Sequence, residues 1–89
     1  GIYIKEKPFE NISFDIQKDD TIFMFTGGFP DQIGGEKGEK FKYRPFKELL
    51  TKISVFNSSE QLKMLNSEYE NWTGIYEQID DILILGVKI

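Results

Sequence analysis

The order of apolar and polar residues predicts an α+β domain. Apolar residues occupy every second position from Ile12 to Ile16, the period of a half-buried strand. Two continuous apolar segments, Ile22–Phe25 and Ile82–Ile89 (interrupted by Gly86 and Lys88), predict interior strands covered on both faces. A short strand candidate, Ile2–Ile4, begins the chain. The predicted strands therefore cover residues 2–6, 11–17, 20–26 and 82–89, with a hairpin turn at Lys18-Asp19-Asp20.

Helical periodicity predicts two helices, over 44–54 and 59–73. The first has Pro45 in its first turn and apolar residues at i, i+3, i+4 and i+7: Phe46, Leu49, Leu50 and Ile53. The stripe of the second consists of Leu62, Leu65, Tyr69 and Trp72. Ser58 with Gln61 predicts a capping box, and Gly74 a C-terminal stop. We expect antiparallel strands, and both helices on one sheet face through Leu49, Ile53, Leu62 and Trp72.

Composition limits the chemistry that this chain can perform. Its 89 residues make one domain at most, with 39% hydrophobic and 15% aromatic residues. So high an aromatic content suggests a surface that another segment or chain completes. The absence of cysteine and histidine excludes thiol and imidazole catalysis and the usual zinc sites. A metal would need oxygen ligands, which favours magnesium, manganese or calcium.

Charge and hydropathy bear on partners and location. The net charge of −4 argues against binding to nucleic acid or to an anionic membrane. No apolar segment reaches the length of a membrane span, and no basic segment typical of an export signal is present. A cytoplasmic location is therefore expected.

The stretch Thr26–Gln32 follows the buried strand and is the first candidate for chemistry. Gly27 and Gly28 allow either a positive φ or the close approach of another group, and Pro30 disfavours helix before it. Asp31 is therefore expected on a loop at a strand end, where binding residues are common. A strand followed by a tight turn without chemistry explains the same residues.

The next segment, residues 33–40, is rich in glycine and charge and is predicted to be a mobile surface loop. Its basic residues and those that follow are able to meet a phosphate: Lys37, Lys40, Lys42 and Arg44. Because Glu36 and Glu39 are interleaved with them, a solvated loop is favoured.

Carboxylates at the ends of predicted strands suggest a metal. Asp80 and Asp81 precede one buried strand and Asp31 follows another, an arrangement that suits a hard divalent ion. Since side chains alternate along a strand, only one of Asp80 and Asp81 is expected to point at such a site. Acidic residues at strand ends are also common as caps and turn formers.

Taken in order, these motifs resemble the C-terminal half of a SpoIIE-like phosphatase domain, the bacterial branch of the metal-dependent type-2C (PPM) serine/threonine phosphatases. The resemblance covers essentially residues 1–89 and rests on Asp19-Asp20-Thr21, Thr26-Gly27-Gly28-Phe29-Pro30-Asp31-Gln32, Gly34-Gly35, Lys40-Phe41, Trp72-Thr73-Gly74 and Gln78-Ile79-Asp80-Asp81.

The resemblance implies part of an α-β-β-α sandwich, in which two antiparallel sheets lie between pairs of helices. It also implies a two-metal centre, manganese or magnesium, whose bridging water attacks a phosphoserine or phosphothreonine. Asp80 matches the first Asp of the terminal metal-binding pair, and Asp31 matches an acidic position that in some relatives holds an additional metal. Gly27, however, stands where the family has a ligand Asp, and the N-terminal half with the other ligands is missing.

Two functions remain open at this point. One is the C-terminal portion of a phosphatase domain in bacterial signal transduction, inactive on its own. The other is a degenerate phosphatase-like module that binds a signalling partner without catalysis. The expected partners are a phosphoprotein or regulatory protein, and either the remainder of the phosphatase domain or further copies of this chain.

Overall fold

A computed structural model describes residues 1–7 and 15–89 of the chain. Its elements are β1 (Ile2–Glu6), β2 (Thr21–Phe25), β3 (Ile33–Gly34), β4 (Glu39–Lys40), α1 (Tyr43–Ile53), α2 (Ser58–Thr73) and β5 (Ile84–Lys88). Most of the strand predicted over 11–17 lies outside the described residues, and the described residues 15–17 form no strand. In the described ranges, no helix is long and apolar enough to cross a membrane.

The main sheet has three strands in the order β1-β2-β5. β2 and β5 pair antiparallel, as predicted, with Met24 opposite Leu85. β1 instead runs parallel to β2, with Glu6 opposite Phe25, so the prediction of antiparallel pairing throughout is wrong for this pair. A parallel pair needs a crossover connection rather than a hairpin. The class nevertheless stands: the fold is α+β, with two helices and with antiparallel and mixed sheets.

The glycine-rich segment predicted as a mobile loop is instead a small hairpin. β3 and β4 pair antiparallel, with Ile33 opposite Lys40. Gly35 and Gly38 adopt positive φ values of 70° and 62° in the connecting turn. Both lie in the left-handed region that glycine adopts readily, which explains the glycine content of this segment.

Both helices form close to the predicted boundaries, but the N-cap of α2 differs. Asn57 rather than Ser58 is the N-cap, and its side chain accepts a hydrogen bond from the Glu60 backbone N–H at 2.9 Å. The predicted pair Ser58–Gln61 is therefore wrong by one position. Gly74 ends α2 with a φ of 52°, as predicted.

The core lies between the inner face of the main sheet and α1. Its buried members are Phe23, Phe25, Phe29, Phe46, Leu49, Leu50 and Ile53. The Phe46 ring lies between two other buried rings, with centroids 4.9 Å from Phe25 and 5.0 Å from Phe29. The apolar stripe of α1 is thus buried in full, as its periodicity predicts.

α2 contacts the core through partly buried side chains of its middle and C-terminal turns, and Trp72 lies beside β3 rather than on the main sheet, where it was predicted. The Trp72 ring lies 5.5 Å from that of Phe41, and its indole N–H donates to the Gln32 carbonyl at 2.8 Å. Leu62, predicted to be in the core, is 60% exposed. It borders a cleft of about 450 Å³ between α2 and residues 78–84.

β5 is an edge strand with an exposed outer face, whereas an interior strand was predicted. Its register places Leu85 and Val87 beside Met24 and Ile22, on the face opposite the core. Leu85 is 50% exposed and Val87 38% exposed. Leu85 and Val87 therefore expose apolar surface on the side away from the helices, although Ile22, beside Val87, is buried.

Candidate functional site

The site is built where β2 ends and the segment before β5 begins. The Thr26 hydroxyl accepts the Leu83 N–H at 3.1 Å and donates to the Asp81 carbonyl at 3.3 Å. The Thr26 backbone N–H donates to the Leu83 carbonyl at 3.0 Å. These bonds extend the β2–β5 pairing and bring the segment that carries Asp80 and Asp81 to the loop that carries Asp31.

The paired glycines of this loop have different roles. A Cβ at Gly28 would lie 2.2 Å from the Asp81 carbonyl oxygen, so only glycine fits beside that backbone. A Cβ at Gly27 would instead point at carboxylates, 2.9 Å from Asp31 Oδ2 and 3.3 Å from Glu6 Oε2. Neither glycine has a positive φ. Close approach, one of the two reasons anticipated from the sequence, therefore explains Gly28, and Gly27 has only side-chain ends before it.

Four side chains surround Gly27, and we refer to them as the Gly27 cluster: Glu6, Asp31, Lys40 and Tyr43. Parallel pairing places Glu6, the last residue of β1, at the same edge as the end of β2. The Tyr43 hydroxyl, at the start of α1, donates to Glu6 Oε2. The Lys40 ammonium lies 3.8 Å from Asp31 Oδ1.

The electrostatics of the cluster are visible at Tyr43. Its hydrogen bond to the Glu6 carboxylate, with smaller contributions from burial and from the Asp31 charge, raises the pKa of Tyr43 to about 12. An ionised tyrosine would face two carboxylates and lose a donor bond. Tyr43 therefore stays protonated, as a hydrogen-bond donor, at neutral pH.

Asp80 lies outside the cluster. It is exposed, and its carboxylate accepts the Asp81 backbone N–H at 2.8 Å. Gln78 donates its side-chain amide to the Asp80 carbonyl at 2.9 Å. The two segments that carry Asp80 and Asp31 meet beside Gly28, but in residues 1–7 and 15–89 no three metal-ligating side chains converge.

The donor set does not fit a divalent metal centre by itself. Gly27 contributes no side-chain oxygen and its carbonyl accepts the Asp31 N–H, Glu6 is engaged by a tyrosine hydroxyl, and Asp31 has an ammonium partner. Divalent ions that prefer oxygen are held by several converging carboxylates. No catalytic step is therefore derived through a metal in this chain.

Sequence reasoning missed Glu6 and Tyr43. Only the parallel pairing of β1 with β2 gives Glu6 a place beside Gly27, and no sequence pattern indicates that pairing. The basic residues considered for phosphate contact are largely exposed, as a solvated segment predicts. Two of them pair with acids: Lys40 with Asp31, and Arg44 with Glu48 at 3.3 Å.

The comparisons with known proteins give one informative likeness. No protein-family model matches the chain, and no curated protein matches it. Among solved structures, the SiaA-PP2C domain of Pseudomonas aeruginosa matches with a TM-score of 0.74 and 33% sequence identity. The match covers 78% of this chain and 28% of that chain.

The fold is therefore that of a PP2C-type phosphatase domain, and the chain corresponds to part of such a domain. This confirms the resemblance at the level of the phosphatase class. The chain spans about a quarter of the length of the chain that it matches.

Proposed function

We propose that this chain is the C-terminal portion of a SpoIIE-like serine/threonine phosphatase domain that acts in bacterial signal transduction in the cytoplasm. The observation that carries the proposal is the likeness to 28% of the PP2C chain, which leaves most of that domain without a counterpart here. The proposal includes Asp80 and Asp31 as metal ligands of the assembled domain, with manganese or magnesium supplied there. On its own the chain does not hydrolyse phosphate esters.

The open sheet face supports this proposal. Phosphatase-type sandwiches pack one sheet on another, and the outer side of β5 exposes apolar side chains that a second sheet would cover. Leu83, Leu85 and Ile89 are 64%, 50% and 48% exposed. In the proposed parent protein, the remainder of the domain covers these side chains.

A second function is favoured by one observation, the absence of a side chain at Gly27. Because the ligand position of the family is empty while its two carboxylate neighbours have protein partners, a degenerate module also fits. Such a module binds a phosphoprotein or regulatory protein without turnover. A continuous reading frame upstream of Gly1 that encodes an Asp-Gly metal motif would favour the catalytic parent.

Hydrolysis of p-nitrophenyl phosphate with excess manganese tests the proposal on the 89-residue chain and on Gly27→Asp. Neither protein should hydrolyse the substrate, because a two-metal centre needs more converging carboxylates than either protein brings together. Metal-dependent turnover by the unmodified chain, abolished by Asp80→Asn, would contradict the proposal.

A further inference from the structure

Each carboxylate of the Gly27 cluster has a hydrogen-bond donor or a cation from the cluster beside it. Tyr43 donates to one carboxylate, Glu6, and Lys40 stands 3.8 Å from the other, Asp31. The contacts come from four separate segments: the end of β1, the loop after β2, the β4 strand and the first residue of α1. The cluster therefore joins parts of the chain that are distant in sequence.

The two contacts differ in strength. The Asp31 and Lys40 side chains are 38% and 63% exposed, and ion pairs in water contribute little. The Tyr43–Glu6 bond is exposed too, with Tyr43 37% exposed, but it is a charge-assisted hydrogen bond, which is stronger than a neutral one. Tyr43 is also anchored by its ring, whose centroid lies 6.2 Å from that of buried Phe25.

A side chain at Gly27 would change this balance. A carboxylate there would add a third negative charge beside the oxygens of Asp31 and Glu6, at Cβ distances of 2.9 and 3.3 Å. Like charges so close repel unless a cation or a proton joins them. Glycine avoids that repulsion, so the Tyr43 hydroxyl and the Lys40 ammonium are enough to partner the two carboxylates that are present.

We propose that the Gly27 cluster is a tertiary contact that needs no metal, and we call it the lock. In it the Tyr43 hydroxyl and the Lys40 ammonium interact with the two carboxylates in place of a divalent cation. The lock holds the end of β1 and the β2–β3 loop against the start of α1. It concerns the same region as the proposed function but rests only on the contacts of this chain. Its test measures stability and cation response rather than turnover, so the two proposals can fail separately.

The first experiment compares melting temperatures in EDTA and in excess manganese chloride for the chain, Gly27→Asp and Gly27→Asn. The two variants are matched in size and differ in charge. We expect no manganese response from the unmodified chain or from Gly27→Asn. Gly27→Asp should melt below Gly27→Asn in EDTA and gain about 5 °C or more at manganese concentrations tenfold above its Kd. A gain of the same size in the unmodified chain would overturn the lock.

A second experiment keeps the proposal testable should Gly27→Asp not fold. Tyr43→Phe removes the hydroxyl that binds Glu6, and Tyr76→Phe removes an exposed hydroxyl with no hydrogen bond among the described residues. We expect Tyr43→Phe to lower the melting temperature by about 4 °C or more and Tyr76→Phe to leave it unchanged. Equal melting temperatures for the two variants would show that the Tyr43–Glu6 contact holds nothing together.

Discussion

Gln32 connects three segments through a single buried side chain. Its amide donates to the carbonyls of Ile33 and Glu77 at 3.0 and 2.9 Å, and its side-chain oxygen accepts the Tyr69 hydroxyl at 2.9 Å. The residue is 0% exposed, so these bonds replace water completely. Gln32 thereby ties the loop that carries Asp31 to α2 and to the segment that leads to Asp80.

Replacing this amide should be costly. Gln32→Leu keeps the volume but leaves the Tyr69 hydroxyl and the Glu77 carbonyl without a partner, and we expect a loss of about 3 kcal/mol in the free energy of unfolding. The same substitution at exposed Gln78 should change it by about 0.5 kcal/mol or less. Urea denaturation of both variants measures the difference. Equal losses at the two positions would mean that the Gln32 bonds do not stabilise the fold.

The residue types of the segment after β2 predicted a loop there, but they did not show why the loop needs its two glycines. The paired glycines correctly indicated a special backbone position after β2. The partner that requires Gly28, the Asp81 carbonyl, lies far along the chain, so sequence alone left two explanations open. Glu6 gave no signal for the same reason, since its place beside Gly27 depends on strand pairing.

At the scale of elements, the start of α2 shows how a cap is chosen. Asn57 and Ser58 are both good N-cap residues, and each has a Gln or Glu near the third helical position. The structure uses Asn57, whose side chain binds both the Glu60 backbone N–H and the Glu60 carboxylate, at 2.9 and 3.0 Å. Ser58 is then the first helical residue and makes no capping bond.

This assignment predicts different effects from two neighbouring substitutions. Asn57→Ala should lower the free energy of unfolding by about 1 kcal/mol, because it leaves a backbone N–H of the first turn without its acceptor. Ser58→Ala should lower it by less than about 0.5 kcal/mol, since alanine favours the helix interior. Thermal or urea denaturation of the pair decides between them. A larger loss for Ser58→Ala would restore the capping box predicted from the sequence.

Elements with strong periodicity could be predicted from the sequence, but the direction of strand pairing could be predicted only in part. The stripe of α1 is buried at all four predicted positions because a helix face is a local property. The direction of β1 relative to β2 depends on the connection between them, and the interior character predicted for β5 depends on what covers its outer face. These are properties of the assembled fold rather than of a segment.

The whole molecule is asymmetric in how its sheet is covered. One face carries Phe23 and Phe25 against α1, and the other exposes Leu83, Leu85 and Val87. Contiguous apolar surface of this kind marks an interaction site. Among residues 1–7 and 15–89, β5 also has no strand on its outer edge, and such an edge is able to pair with another strand. In the proposed parent protein, the missing part of the domain occupies this face.

Without that part, the same surface should drive self-association. We predict that the 89-residue chain forms dimers or larger oligomers, by packing outer faces or exchanging strands. Leu85→Lys places a charge on the outer face and should shift the chain toward the monomer. Ile75→Lys is the matched control, because Ile75 is 97% exposed in the turn after α2. Light scattering across a concentration series measures all three proteins. If the unmodified chain is a monomer at high concentration, the prediction is contradicted. If both lysine substitutions dissociate the oligomer equally, the contact lies on a different surface.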